Sequence, residues 1–169
     1  MLSKKAIESA HRAVAENNVL ASGSDGRILY VTRNVYLKLM WGSEHEIFPA
    51  DQFKDDNEPQ LSARENTILE FERRNEIYNP KIRIPKYHQL FETEEGEHGI
   101  LMQRIFGLPV RELNEKQREE AFRQYDQQCE LIEQCGYRVI PSTPYVNTLF
   151  NTQRGRLFLL DLMDWEKIN

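Results

Sequence analysis

Cysteine is scarce in this sequence and long apolar runs are missing. The 169 residues contain two cysteines, Cys129 and Cys135. They lie in a stretch with helical spacing that turns them to different sides of a helix, so a disulfide between them is geometrically poor. No His or Cys stands near them at metal-binding spacing, which leaves a zinc site unsupported. No apolar run approaches the ~18 residues that a membrane helix requires. The first residues, MLSKKAIESAHRAVAENN, are polar and lack the apolar segment of a signal peptide. A cytoplasmic place of synthesis is therefore expected. Export into a host cell by a specialised secretion machine is the other route open to a chain without such a signal. Basic residues are also dispersed. The longest basic clusters are the pairs Lys4-Lys5 and Arg73-Arg74, the net charge is −5 and the sequence pI is near 5.5. Nothing here marks a nucleic-acid footprint.

What is present is an ordinary globular balance, with 40% hydrophobic and 29% charged residues. That suits one domain or two small lobes. Residues 3–17 read as a short helix, with Ser3 as cap and Ala6, Ile7, Ala10 and Val14 at helical spacing. Gly23 and Gly26 then bracket a turn of Ser24 and Asp25. Such a turn is most simply a hairpin turn, though its backbone N–H groups can also lie over phosphates. Strands follow at 27–32 and 35–41. In the second of these, strand alternation places Tyr36, Lys38 and Met40 on one face. A lysine on a mostly apolar face needs a partner or an edge position, because an unpaired buried ammonium is costly.

Pro59 suits the first turn of a helix running to about Ile77. Its apolar stripe is Leu61, Ile68, Leu69 and Phe71, and Glu65 falls on that stripe, while Glu70 and Glu72 fall toward solvent. Pairing Lys38 with Glu65 would remove two burial penalties at once. Extended segments are expected at 82–91 and 100–105. A second helix is expected from the Asn114 cap, with Gln117 completing a capping box, to about Gln134, where Gly136 ends it. Ala121, Tyr125, Cys129 (or Gln128) and Ile132 share its apolar face. The chain closes on a hairpin, YVNTLFNTQRGRLFLLDLMDW, with Asn147 heading its first strand and Asp161 ending its second. Either these are a turn cap and a strand end, or they are two hard oxygen donors suited to magnesium.

Taken in order, these elements resemble the protein-kinase fold through almost the whole chain. Gly23, Ser24 and Gly26 resemble its Gly-rich loop. Lys38 resembles the phosphate-gripping lysine and Glu65 its helix partner. Gln103 and Ile105 fall where the hinge receives the adenine. Asn147 and Asp161 resemble the two metal ligands. Compact kinase-like effectors that enteric bacteria inject by type III secretion show the same short plan. The resemblance implies an α+β, two-lobed fold: an N-terminal helix (1–18), an antiparallel-sheet N-lobe with one main helix (19–106), and a severely truncated helical C-lobe (107–169). It implies ATP and Mg2+ as ligands. Several positions depart from the family pattern: the first glycine of the Gly-rich motif is Ser or Ala here, and Ile140 stands at the catalytic-loop histidine. Ser142 stands where the catalytic-loop aspartate is expected, and a serine cannot serve as a carboxylate base near neutral pH. Met163 stands where the metal motif has glycine. The expected function is a pseudokinase that binds Mg-ATP and acts on a partner protein. The alternatives are an active atypical serine/threonine kinase, with Asp164 the nearest replacement carboxylate, and a protein-interaction module that binds no nucleotide.

Overall fold

The computed structural model describes residues 2–22, 26–40, 62–77, 79–139, 145, 147–160 and 165–168. The chain divides into two units. The first comprises residues 1–72 and 87–104, and the second residues 73–86 and 105–169.

Unit 1 is built on five strands: β1 (Val19–Ser22), β2 (Gly26–Thr32), β3 (Val35–Met40), β4 (Tyr87–Glu92) and β5 (His98–Gln103). They form one antiparallel sheet in the order β1-β2-β3-β5-β4. β3 is therefore central, with Lys38 opposite Ile28 on one neighbour and Ile100 on the other. That removes the edge-strand explanation of Lys38. Helix α1 (Lys4–Ala15) starts at Ser3, whose hydroxyl accepts from the Ala6 amide. Ala10 and Ala13 let it lie close on Leu29, Val31, Val35, Leu37, Leu39, Phe91 and Leu101, with Ile7 and Val14 packed at the margin. The residues of β2 and β3 in this cluster, Leu29, Val31, Val35, Leu37 and Leu39, belong to one face of the pleat. Tyr36, Lys38 and Met40 belong to the other.

Helix α2 (Ala63–Glu76) begins in unit 1 and ends in unit 2. Its start is later than the Pro59 expectation, and Pro59 itself lies outside the described residues.

Unit 2 is organised by helix α3 (Glu115–Glu133). Asn114 and Gln117 form the expected capping box, and Gly136 follows with φ of 81°. Its buried positions are Ala121, Gln124, Gln128 and Ile132, so Gln128 rather than Cys129 completes the inner face. Two buried glutamines there are tolerated because both are bonded. The Gln124 carbonyl accepts from the Leu157 amide at 2.9 Å and from the Arg83 guanidinium, and its amide donates to the Gly155 carbonyl at 2.8 Å. Gln128 accepts from the Arg83 amide at 2.6 Å and donates to the Lys81 carbonyl at 3.2 Å. The helix thereby fixes residues 81–83, and Gln124 also holds the hairpin of β7 (Thr148–Asn151) and β8 (Arg156–Leu159). A second small ladder pairs β6 (Tyr137–Val139) with β9 (Trp165–Lys167). Trp165 is buried there, and Val110, Leu113, Ala121, Phe150 and Leu157 form a separate cluster.

Strands β3 and β5 approach closely at Gly99. A Cβ there would lie 2.3 Å from the Lys38 carbonyl oxygen, a backbone atom that cannot step aside. Gly99→Ala should push β5 off β3 and cost about 1–3 kcal/mol, the range for overpacking. Urea titration reads this as a lowered midpoint, and an unchanged midpoint would refute the close approach.

In unit 2 the Glu76 carboxylate accepts from the Tyr137 hydroxyl and lies 3.1 Å from the Lys167 ammonium. The Tyr137 bond first, then Lys167, holds Glu76 below the usual carboxylate range. Burial, then the same bond, pushes Tyr137 up to about 12. A depressed carboxylate gives stability present above its unfolded value near 4.5 and lost as pH falls. A raised phenol gives stability present below about 10 and lost as pH rises toward 12. Tyr137→Phe should lower the denaturation midpoint at pH 7, and the gap from wild type should narrow as pH falls below the usual carboxylate range. A constant gap across that range would refute the linkage.

Candidate functional site

Among the described residues, the ionisable side chains buried in unit 1 meet at one point. Lys38 is 6% exposed and Glu70 is 0% exposed. The Lys38 ammonium donates to Glu70 Oε2 at 2.8 Å. The other carboxylate oxygen, Oε1, accepts from the Tyr87 hydroxyl. Tyr87 in turn stacks on Phe71, with ring centroids 6.4 Å apart. Three elements thus contribute: central strand β3, helix α2 and strand β4. Each carboxylate oxygen has a donor, which is the condition under which a buried ion pair is tolerated.

This corrects the expectation for Glu65. The helix partner of Lys38 is Glu70, and Glu65 is exposed at the helix start. The reason is local. Glu65 accepts from the Ser62 amide at 2.8 Å and the Ser62 hydroxyl at 2.7 Å, while its own amide donates to Ser62 Oγ at 3.3 Å. These are the reciprocal bonds of a capping box. The Ser62 hydroxyl, then the Ser62 amide, keeps the Glu65 carboxyl below its usual range. Glu70 lies five residues on, roughly 140° further round the helix, and with Thr67 forms its buried face. The Ser-x-x-Glu spacing was the signal that assigns Glu65 to the helix start. Tyr87 gave no comparable signal beyond its place in an extended stretch.

The remaining positions are distributed as follows. Gly26 opens β2 opposite Met40, and a Cβ there would meet the Leu39 carbonyl oxygen at 2.0 Å. Its glycine is thus required by the sheet. Gly23, Ser24, Ser142 and Asp161 lie outside the described residues, as do Met163 and Asp164. Gln103 ends β5 opposite Val35, and the next amide, Arg104, donates to the Asn34 carbonyl at 3.0 Å. Ile105 is buried in unit 2. Asn147 has φ of 55°, a left-handed conformation that asparagine tolerates. Its carbonyl accepts from the Leu160 amide at 2.8 Å. That bond extends the β7–β8 ladder and brings Asn147 beside the residue that directly precedes Asp161. Among the described residues no group of three or more His, Cys, Asp or Glu could hold a metal, and no helix is long and apolar enough to cross a membrane. The two cysteines are free and half-buried.

No family model and no curated protein matches the sequence. Solved structures do match. The Cydia pomonella granulovirus kinase PK-1 is similar with a TM-score of 0.56 and 15% identity, over 98% of this chain and 58% of that one. WbdD, in a co-crystal with the kinase inhibitor LY294002, is similar with a TM-score of 0.53 and 12% identity, over 87% of this chain and 32% of that one. A second WbdD structure gives 0.54 and 10%, over 86% and 31%. This chain therefore spans about a third of WbdD and rather more than half of the viral kinase. At these identities the likeness concerns fold, and the fold is α+β and protein-kinase-like.

Removing one member of a buried ion pair leaves the other unpaired and costs about 3–5 kcal/mol, whereas replacing both by apolar residues is often neutral. Glu70→Ala should thus destabilise severely, Lys38→Met/Glu70→Leu should regain most of the loss, and Glu65→Ala should cost far less. Chemical denaturation of the three variants distinguishes them. Equal costs for Glu65→Ala and Glu70→Ala would contradict the assignment.

Proposed function

We propose that this chain binds Mg-ATP and acts as a pseudokinase, regulating a partner protein by contact. The observation that carries the reading is the Lys38–Glu70 ion pair on a kinase-like fold. In kinases such a strand lysine and helix glutamate must both be in place to hold the phosphates. The ammonium would contact the phosphates. The amide oxygen of Asn147 and the carboxylate of Asp161 would supply hard donors to magnesium, which takes few protein ligands and keeps phosphate oxygens. The bound metal would neutralise phosphate charge. Within unit 1, Glu70 fixes the direction of the lysine.

The absence of a carboxylate at Ser142 argues against efficient transfer. Phosphoryl transfer depends mainly on positioning and charge neutralisation, so loss of the base lowers the rate rather than abolishing it. The kinase-like secretion effectors suggest a partner protein as the target of contact, and export from the cell that makes it.

A thermal-unfolding series with Mg-ATP tests the reading. A ligand at a hundred times its Kd adds about 2.7 kcal/mol, and a chain of this size gains roughly 2–4 °C per kcal/mol. Wild type should therefore rise by about 5–10 °C, with the rise much reduced in Asp161→Ala. No rise in wild type would leave a nucleotide-free interaction module. Radiolabelled ATP with generic protein substrates separates the remaining alternatives. Transfer by wild type that is lost in Asp161→Ala would show an active atypical kinase instead.

A further inference from the structure

The face of the sheet that carries Lys38 also carries two tyrosines, and a cation already covers them. Tyr36 lies two residues before Lys38 on β3 and shares its face. Tyr30 on β2 is its direct cross-strand partner, just as Ile28 is for Lys38. Tyr30 remains 39% exposed. The guanidinium of Arg104 lies over both rings, 5.6 Å from the Tyr30 centroid and 5.2 Å from the Tyr36 centroid. The Arg104 amide is anchored on the Asn34 carbonyl at 3.0 Å, so the residue is held at the turn end of the β2–β3 pair.

The register fixes the direction in which these groups follow one another. On β5, Ile100 faces Lys38, Met102 faces Tyr36 and Gln103 faces Val35. A nucleotide with its phosphates at Lys38 and its base toward Gln103 must run past Tyr36, about 6–7 Å from Lys38 along the strand. A guanidinium is planar and stacks on aromatic faces much as a base does. It occupies the surface that the base would use.

We infer that Tyr30, Tyr36 and Arg104 form a self-filling stack at the base end of the Lys38 face, so that ligands are selected by their phosphates rather than by their base. The inference rests on the nucleotide reading above and sharpens it. Base entry requires Arg104 to leave both rings and forfeit two cation–π contacts, while the phosphate end is unaffected. The favoured ligands are polyphosphates, with or without a nucleoside.

Isothermal titration of the full chain with Mg-ATP, Mg-GTP and Mg-tripolyphosphate tests it, in wild type beside Tyr36→Ala and Arg104→Gln. Wild type should bind the three within about threefold of one another, and each variant should gain about fivefold or more for ATP and GTP but not for tripolyphosphate, the scale of a lost cation–π contact. Tight wild-type ATP binding with weak tripolyphosphate, unimproved or weakened in the variants, would overturn the stack and leave the nucleotide reading standing. Binding of none of the three ligands to any of the proteins would overturn both. Arg104→Gln removes the covering cation and keeps both rings, so it keeps the test decisive if Tyr36→Ala fails to fold.

Discussion

The contact on which unit 1 depends is the meeting of Lys38, Glu70 and Tyr87. A lysine on the central strand of a five-stranded sheet has no route to water along an edge. Its position is possible only because a carboxylate arrives from α2 and is itself held by a phenol from β4. One buried charge thus ties together a strand, a helix and a strand far apart in sequence. The opposite face of the sheet is closed by apolar means, with α1 seated on it through two alanines. The two faces differ in kind. One is an ordinary hydrophobic layer, and the other sets a single bonded ion pair among apolar neighbours.

Unit 2 uses neutral hydrogen bonding for the same end. Gln124 and Gln128 lie on the inner face of α3 and capture backbone groups of residues 81–83, and Gln124 adds those of residues 155 and 157. A buried amide presents donor and acceptor together, so one side chain can satisfy two loops at once. This keeps the irregular residues 81–83 and the β7–β8 hairpin packed against α3. The Asn147 carbonyl plays a related part at the end of the β7–β8 hairpin, where its left-handed backbone lets it reach Leu160.

Much of the plan was legible before any coordinates. The alternation in VYLKLMW placed Lys38 inward, the Asn114-to-Gln117 spacing placed the start of α3, and the order of strands and helices pointed to a kinase-like fold. The helix partner of Lys38 was not legible as first read. The stripe through Leu61, Ile68 and Phe71 gave a phase in which Glu65 pointed in. A glutamate three residues after Ser62 is better used by the helix end than by its core, and that local demand fixes where the helix starts and which carboxylate turns inward. Cys129 was displaced by Gln128 for a similar reason. Apolar periodicity does not reveal a polar side chain that is buried because the backbone needs it. Tyr87 could not be found at all, since a strand residue's partner across a sheet and a helix is set by tertiary register.

The completeness of the Lys38–Glu70–Tyr87 contact bears on folding as well as on binding. The ammonium has its counter-charge inside unit 1, so this buried charge does not wait for a ligand to neutralise it. Unit 1 therefore needs no anion to compensate Lys38 as it folds. A phosphate of the kind proposed would meet a pair that is already compensated, and would compete with Glu70 for the ammonium rather than rescue it.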